Sequence, residues 1–386
     1  MPQMIDYRFA FSQFLSKPMA RAEPVLLMAR HLDQGGTERQ LAAMAKALDR
    51  RLFSPHVGAF RSGGVRWPEL ETAGIPLVDF SIPTLSGVRG LFTIASYIRR
   101  HGIRLVHAFD TAANAYGVPA AMVGRADVVL SSQRVHRCVF PKLRGWLRVT
   151  DLLVDGVVVN CEFMRRHLIE DEHVPASRIH LCYNGVDTSV FHAAGRSRPE
   201  ALSTASLVVG VVSALRPEKD LATLLEGFAR LGARQAGVKL VIVGGGYCEP
   251  ALRARAAALG ISQDCLFQPP TSDVAPWLRA IDIFVLPSVT EALSNSLMEA
   301  MACGCCVVAS RVGGNPELVT DGETGLLFDP GDVSGLVSAL DRLTRQPSLR
   351  AELASNAGRL VPRKFSLEMA ARRLEEIYTM FLSSAR

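Results

Sequence analysis

Residues 287–302 carry two carboxylates eight positions apart, Glu291 and Glu299, with polar residues between them. An apolar run ends at Leu286, a polar loop follows, and a helix is expected to open near Ser294–Ser296. The first amides of such a helix lack intrahelical partners, and at the end of a buried strand they favour an anion such as a pyrophosphate. Glu291, on the loop, suits the hydroxyls of a sugar. Glu299, a turn into the helix, suits a ribose diol, or in the pattern Ser296-x-x-Glu299 simply caps an orphan amide. Both readings of Glu299 stay open, whereas Glu291 has no such capping duty.

Further phosphate-friendly parts lie on either side. Ser213-Ala214-Leu215-Arg216-Pro217-Glu218-Lys219-Asp220 follows an apolar strand, so Arg216 and Lys219 share a strand-to-helix loop where they can neutralise a diphosphate. Gly244, Gly245 and Gly246 end another strand and permit close backbone approach. Glu249 stands where a dinucleotide fingerprint needs its third glycine, which argues against a nicotinamide or flavin site. Gly313-Gly314 and Asp321-Gly322 read as ordinary turns. In the first half, Gly35 and Gly36 precede a helix and can present amides to an anionic group. His107 and Asp110 close a strand, and His136 follows another. A histidine at a strand end serves a core as readily as an acceptor site.

These residues need strands that end together. Apolar runs at 25–29, 56–60, 105–108, 128–131 and 157–159 alternate with helical spacing at 37–48 and 91–101. Runs at 207–213, 239–243, 283–286 and 307–310 alternate with helical stretches at 221–231, 249–259, 296–303 and 333–343. Both halves therefore read as α/β, doubly wound, mostly parallel sheets, whose ligands sit beyond the carboxyl ends of the strands. The expected organisation is a flexible N-terminal extension (1–22), a Rossmann-like domain (23–195), a linker (196–206) without a periodic apolar face, a second such domain (207–365), and an amphipathic helix (366–386) crossing back to the first domain.

Length and composition agree with two such bodies: 386 residues, 48% hydrophobic and 21% charged. Eight cysteines, with no histidines at zinc spacing, are expected as reduced thiols, and the tight group Cys303, Cys305 and Cys306 as the start of a buried strand. No apolar stretch reaches membrane-spanning length, and Asp6, Arg8 and Lys17 interrupt any signal-peptide pattern in the first twenty residues, which read as a flexible extension, a mis-assigned start or a membrane-surface segment. A cytoplasmic location is expected. The net charge is +6, and residues 1–195 carry all of it, with 23 basic against 17 acidic side chains. Between 86 and 150, ten basic residues, among them Arg137, Lys142, Arg144 and Arg148, face only Asp110 and Asp127. No nucleic-acid reader motif appears there, so nucleic acid is not the expected partner. An anionic acceptor, an anionic membrane surface or a merely solvated face all fit.

Taken in order, the motifs resemble the glycosyltransferases of family 4, which have the GT-B fold. They are Gly35-Gly36-x-Glu38, Asn184-Gly185-Val186-Asp187 with Phe191, the Lys219 loop, Gly244-Gly245-Gly246, and Pro287-Ser288. Glu291 and Glu299 with Ala300-Met301-Ala302, Gly313-Gly314 with Glu317, and Asp321-Gly322-x-Thr324-Gly325-Leu326-Leu327 complete the set. The resemblance spans residues 24–382 and is densest in the second half. It implies two Rossmann-like domains facing across a cleft, and transfer of a sugar from a nucleotide sugar to a hydroxyl with retention at the anomeric carbon, without metal or other cofactor. Lys219 and Arg216 would stabilise the leaving diphosphate. Glu291 and the amides of Leu293, Ser294 and Asn295 would hold the donor sugar, Glu299 the ribose, and backbone near Phe267 and Gln268 the base. His107 would be catalytic on the acceptor side, with Glu291, Lys219 and Arg216 the catalytic residues on the donor side. The acceptor would be a glycan, a lipid-linked precursor or a polysaccharide precursor. Two departures stand out: the family's Gly-Arg-Leu is Ser213-Ala214-Leu215 here, so the arginine's task would pass to Arg216, and Phe109 replaces a second histidine after His107. A sugar-nucleotide epimerase of the same fold, or a non-catalytic glycan-binding subunit, are the competing readings.

Overall fold

The structure is a computed structural model describing residues 21–82, 88–134, 144–232 and 237–385. Its first unit holds strands β1 (Glu23–Ala29), β2 (Phe53–Ala59), β3 (Leu77–Asp79), β4 (Leu105–Ala108), β5 (Val128–Gln133), β6 (Gly156–Val159) and β7 (Ile179–Leu181). Helices α1 (Gly36–Ala47), α2 (Trp67–Thr72), α3 (Val88–His101), α4 (Thr111–Gly124), α5 (Arg144–Leu153) and α6 (Glu162–Glu170) connect them. The second unit holds β8 (Leu207–Val212), β9 (Val238–Val243), β10 (Cys265–Gln268), β11 (Ile283–Leu286), β12 (Cys306–Ser310) and β13 (Leu326–Phe328). Its helices are α7 (Leu221–Gly232), α8 (Glu249–Ala258), α9 (Ala275–Ala280), α10 (Asn295–Ala302), α11 (Asn315–Leu318), α12 (Val333–Arg345) and α13 (Pro347–Lys364), after which α14 (Leu367–Ser384) ends the chain.

Both sheets are wholly parallel, with orders β3-β2-β1-β4-β5-β6-β7 and β10-β9-β8-β11-β12-β13. A parallel strand is covered on both faces, which is why its sequence is a run rather than an alternation. Val25 to Ala29 are all fully buried, as are Ile283, Phe284 and Val285. The four strands without a clear sequence signal, β3, β7, β10 and β13, are the four edges. Each is three or four residues long and has one neighbour, so it needs less apolar surface and shows less of a pattern.

The contact boundary falls between Gly185 and Val186, and residues from Leu367 onward return to the first unit. There α14 sets Ala370, Ala371, Leu374, Ile377, Tyr378 and Leu382 into the core around β1 and β2. Tyr378 packs edge-on against Phe53 at 5.7 Å. Each fully buried residue of this set, such as Leu374, stabilises by about 1.5–3 kcal/mol.

The stretch 196–206 is not a linker. The Arg196 guanidinium donates to the carbonyls of Arg279 (3.1 Å), Gly304 (3.0 Å) and Ile281 (2.7 Å), and Arg198 pairs with Asp282 at 2.7 Å. These polar bonds, with Leu202 and Ala205 buried beside them, fix the stretch without the repeating apolar face that hydrophobic periodicity detects. Cys303, Cys305 and Cys306 are buried at the start of β12, and burial pushes the thiols of Cys303 and Cys306 up to about 12. No helix among the described residues is long and apolar enough to cross a membrane.

Candidate active site

In the second unit the chain winds from β8 toward β9 and β10 on one side, and from β11 toward β12 and β13 on the other. The order therefore reverses between β8 and β11, and ligands of such sheets bind beyond the strand ends at a reversal of this kind. Lys219 follows β8 and Glu291 follows β11. Their side chains meet, Lys219 Nζ to Glu291 Oε1, at 2.6 Å. The Ser288 hydroxyl donates to the same oxygen at 2.8 Å. Both donors converge on Oε1.

The backbone fixes this pair from several sides. Pro217–Lys219 forms a 3-10 turn, and Asp220 ends it in the left-handed region with φ 44°, an unusual conformation outside glycine. The Thr223 hydroxyl holds the Asp220 carboxylate at 2.7 Å. The Val289 amide donates to the Glu218 carbonyl at 2.9 Å, joining the Lys219 loop directly to the Glu291 loop. On β12, Ser310 donates to the Ser288 carbonyl at 2.5 Å. Gly313 presses on the other side: its φ is 54°, and a Cβ there would lie 1.8 Å from the Glu291 carbonyl oxygen. The Gly314 amide donates to the Ala292 carbonyl at 2.7 Å. Sequence alone made Gly313-Gly314 an ordinary turn; the distance of 22 residues from Glu291 hid the contact.

Helix α10 begins at Ser294, whose hydroxyl accepts from the Leu297 amide at 3.3 Å. The capping residue is thus Ser294 rather than Ser296, and Glu299 sits at the fifth helical position, beyond reach of a capping box. Glu299 is buried. Leu293 and Ser294 are buried and Asn295 half-buried at the mouth of this helix. Arg216 is exposed, 4.0 Å from Glu218. Gly244, at φ 142°, lies so close to the Ser213 carbonyl that a Cβ would stand 1.9 Å from it, and a Cβ on Gly246 would stand 2.3 Å from the Leu215 carbonyl. Gly245 accepts from the Leu215 amide at 2.9 Å, and Gly244 donates to the Gln268 carbonyl at 3.0 Å. The glycine run therefore lets the end of β9 clasp the 213–216 segment that leads to Arg216 and Lys219.

The first unit has its own reversal, between β1 and β4. Gly35 caps α1, and a Cβ on it would lie 2.0 Å from a Glu38 carboxylate oxygen, so the glycine makes room for that side chain. Gly36 begins the helix. Glu38 reaches His31 at 3.2 Å, and burial raises its carboxyl above the ordinary range. Asp110 caps α4 through the Ala113 amide (2.8 Å) and accepts from the Arg30 amide (2.6 Å); burial raises it too. His31 and Glu38 thus join Asp110 at the strand ends, and His31 carried no motif that would have marked it.

His107 is not an exposed acid or base. It is fully buried, with Nδ1 bonded to the Tyr378 hydroxyl at 2.8 Å and Nε2 to the Ser132 hydroxyl at 2.9 Å. Burial, with the Arg134 charge nearby, lowers its pKa well below the usual histidine range, so it stays neutral. The catalytic assignment of His107 is corrected accordingly: it is a core residue that ties β4 to α14. His136, Arg137 and Lys142 lie outside the described residues.

Comparison with known proteins places both halves. The family model described as "Glycosyltransferase Family 4" matches residues 34–190, and "Glycosyl transferases group 1" matches residues 206–346. The D-inositol 3-phosphate glycosyltransferase of Acidothermus cellulolyticus is 31% identical over 345 residues, covering 85% of this chain and 73% of that protein. Its namesake from Thermobispora bispora is 28% identical over 376 residues, 94% of this chain and 82% of that one. Among solved structures, Anabaena HepE in complex with UDP-glucose superposes with a TM-score of 0.81 at 23% identity, over 92% of this chain and 99% of that chain. With two Rossmann-like units and these matches, the chain belongs to glycosyltransferase family 4 of the GT-B fold, and it is a glycosyltransferase that uses a nucleotide sugar.

Proposed function

We propose that the chain moves a sugar from a UDP- or GDP-linked donor to a hydroxyl of an anionic acceptor, a lipid-linked or polysaccharide precursor, with retention at the anomeric carbon. The observation that carries this is the Lys219 to Glu291 contact at the β8/β11 reversal. During transfer the bond from the anomeric carbon to the phosphate oxygen breaks and negative charge gathers on the diphosphate. Preorganised cations and amides are worth most there. Lys219 is already aimed by Glu291, Arg216 stands exposed on the same loop, and α10 opens at Asn295, directly after the Glu291 loop. Glu291 Oε2 accepts from sugar hydroxyls and fixes the anomeric carbon. The acceptor oxygen forms its bond on the face the phosphate leaves, and its proton passes to the departing phosphate oxygen, so no protein base is needed; the sealed position of His107 accords with this.

Glu299 would take the ribose and backbone at Gln268 the base. The relatives named as D-inositol 3-phosphate glycosyltransferases support a phosphorylated acceptor, and the positive balance of residues 1–195 suits one. A thermal-shift series with UDP- and GDP-linked sugars identifies the donor through ligand stabilisation. Product analysis by NMR then reads the anomeric configuration. An inverted product, or isomerised donor in the absence of acceptor, would overturn the proposal in favour of a different GT-B enzyme.

A further inference from the structure

The helix α5 turns an apolar face outward. Trp146, Val149, Leu152 and Leu153 are all exposed, Leu152 at 76%, and they recur at intervals of three and four, the spacing of one helical face. Leu147 and Val154 bury the opposite face. A surface helix ordinarily shows the reverse arrangement, and scattered single apolar residues would need no account. This stripe is neither scattered nor single.

Its neighbours extend it. Helix α4 packs between α3 and α5 and exposes Met122 and Val123, and α3 exposes Phe92 at 60%. Arg99 of α3 donates to the Val123 carbonyl at 3.0 Å, which brings a guanidinium beside the exposed end of α4. The Trp146 indole N–H donates to the Ala115 carbonyl at 2.8 Å, so its ring is held in place with part of its surface outward. Seven of the twelve large hydrophobic residues exposed among the described residues lie on these three helices.

The charge pattern of the same helices selects the partner. Exposed Arg89, Arg99 and Arg100 lie on α3 and Arg125 ends α4, while Arg148 on α5 is paired with the buried Glu172 at 2.9 Å. Across all three helices the only carboxylate is Asp151, which is buried. Apolar side chains flanked by arginines, with no exposed carboxylate on these helices, match the interfacial zone of an anionic bilayer: the chains enter the acyl boundary and the guanidinium groups meet lipid phosphates. We propose that α3, α4 and α5 form a docking face for an anionic phospholipid membrane. This goes beyond the transfer reaction and does not depend on which sugar moves.

The full-length protein is to be sedimented with phosphatidylcholine vesicles and with vesicles containing phosphatidylglycerol, at low and high salt. The expected result is binding to the anionic vesicles only, weakened by salt, with a blue shift of tryptophan emission. The double variant Val149→Ser/Leu152→Ser, and separately Arg89→Glu/Arg100→Glu, should each lower partitioning about tenfold or more while melting as the parent does. Absence of wild-type binding overturns the proposal, as do variants that bind like the parent. Self-association that the same variants abolish, without vesicle binding, would show instead that a second copy covers this face. None of these outcomes touches the transfer reaction, which is read separately by turnover.

Discussion

Lys219 and Glu291, 72 residues apart in sequence, meet at 2.6 Å because they leave the two strands between which the sheet reverses its winding direction. The pair is mostly shielded, with the lysine side chain 22% and the glutamate 9% exposed. Each member orients the other.

Replacing either member by alanine leaves its partner with an uncompensated charge and removes a group from the proposed donor site. Lys219→Ala and Glu291→Ala should each lower turnover by about 100-fold or more. Stability should fall by about 1–2 kcal/mol, discounted for solvent access to the lysine. Steady-state kinetics and thermal melts check both; turnover near that of the parent in either variant would refute the assignment of the site.

Arg216 and Arg134 separate binding from folding. Arg216 is exposed on the Lys219 loop, so Arg216→Ala should weaken binding of a nucleoside diphosphate about tenfold with little change in melting temperature. Arg134 is buried, donates to Asn184 at 2.6 Å and lies over the Phe109 ring at 4.8 Å. Its removal should instead lower stability by about 2 kcal/mol or more. Calorimetric titration and melts read the two effects, and equal nucleotide affinities in the two variants would dismiss the role given to Arg216.

Gly313→Ala should impair catalysis without touching a polar group. The new methyl would meet the Glu291 carbonyl at 1.8 Å in a backbone conformation that L side chains rarely adopt. The Glu291 loop must then shift, and kcat is expected to fall more than tenfold while the protein loses about 1–3 kcal/mol. Ala substitution at Gly322, whose φ is 77° with open space around it, supplies the comparison: backbone strain without pressure on the loop.

His107 supplies a pH test. Its folded pKa lies well below the unfolded value near 6.5, so the unfolded chain takes up the proton first as pH falls. Stability contributed by the neutral, buried ring is intact above pH ~6.5 and declines below it by up to about 1.4 kcal/mol per pH unit until the folded pKa is reached. His107→Gln should flatten that part of the curve of melting temperature against pH and retain transfer. A large loss of kcat in a folded His107→Gln protein would restore the histidine to the chemistry.

Much of this was legible in the sequence, because buried parallel strands write themselves as apolar runs: β4 and β11 fall at the expected residues. The edges β3, β7, β10 and β13 did not, since one-sided pairing demands little of a sequence. The loop residues Lys219, Arg216 and Glu291 could be named from charge and position, whereas their contact depends on strand order, which no local pattern encodes. Gly313 and Ser310 act through backbone proximity. His107 looked reactive by position, yet Tyr378 and Ser132, 271 and 25 residues away, occupy both its nitrogens.

The bond from the Val289 amide to the Glu218 carbonyl makes the two chemistry-bearing loops one mechanical piece, with the Gly313 turn as its backstop. A donor diphosphate arriving there would meet dipoles and charges whose orientation was settled when the chain folded. In water, developing charge must wait for solvent to turn toward it; groups held by such a backbone frame would need no such rotation.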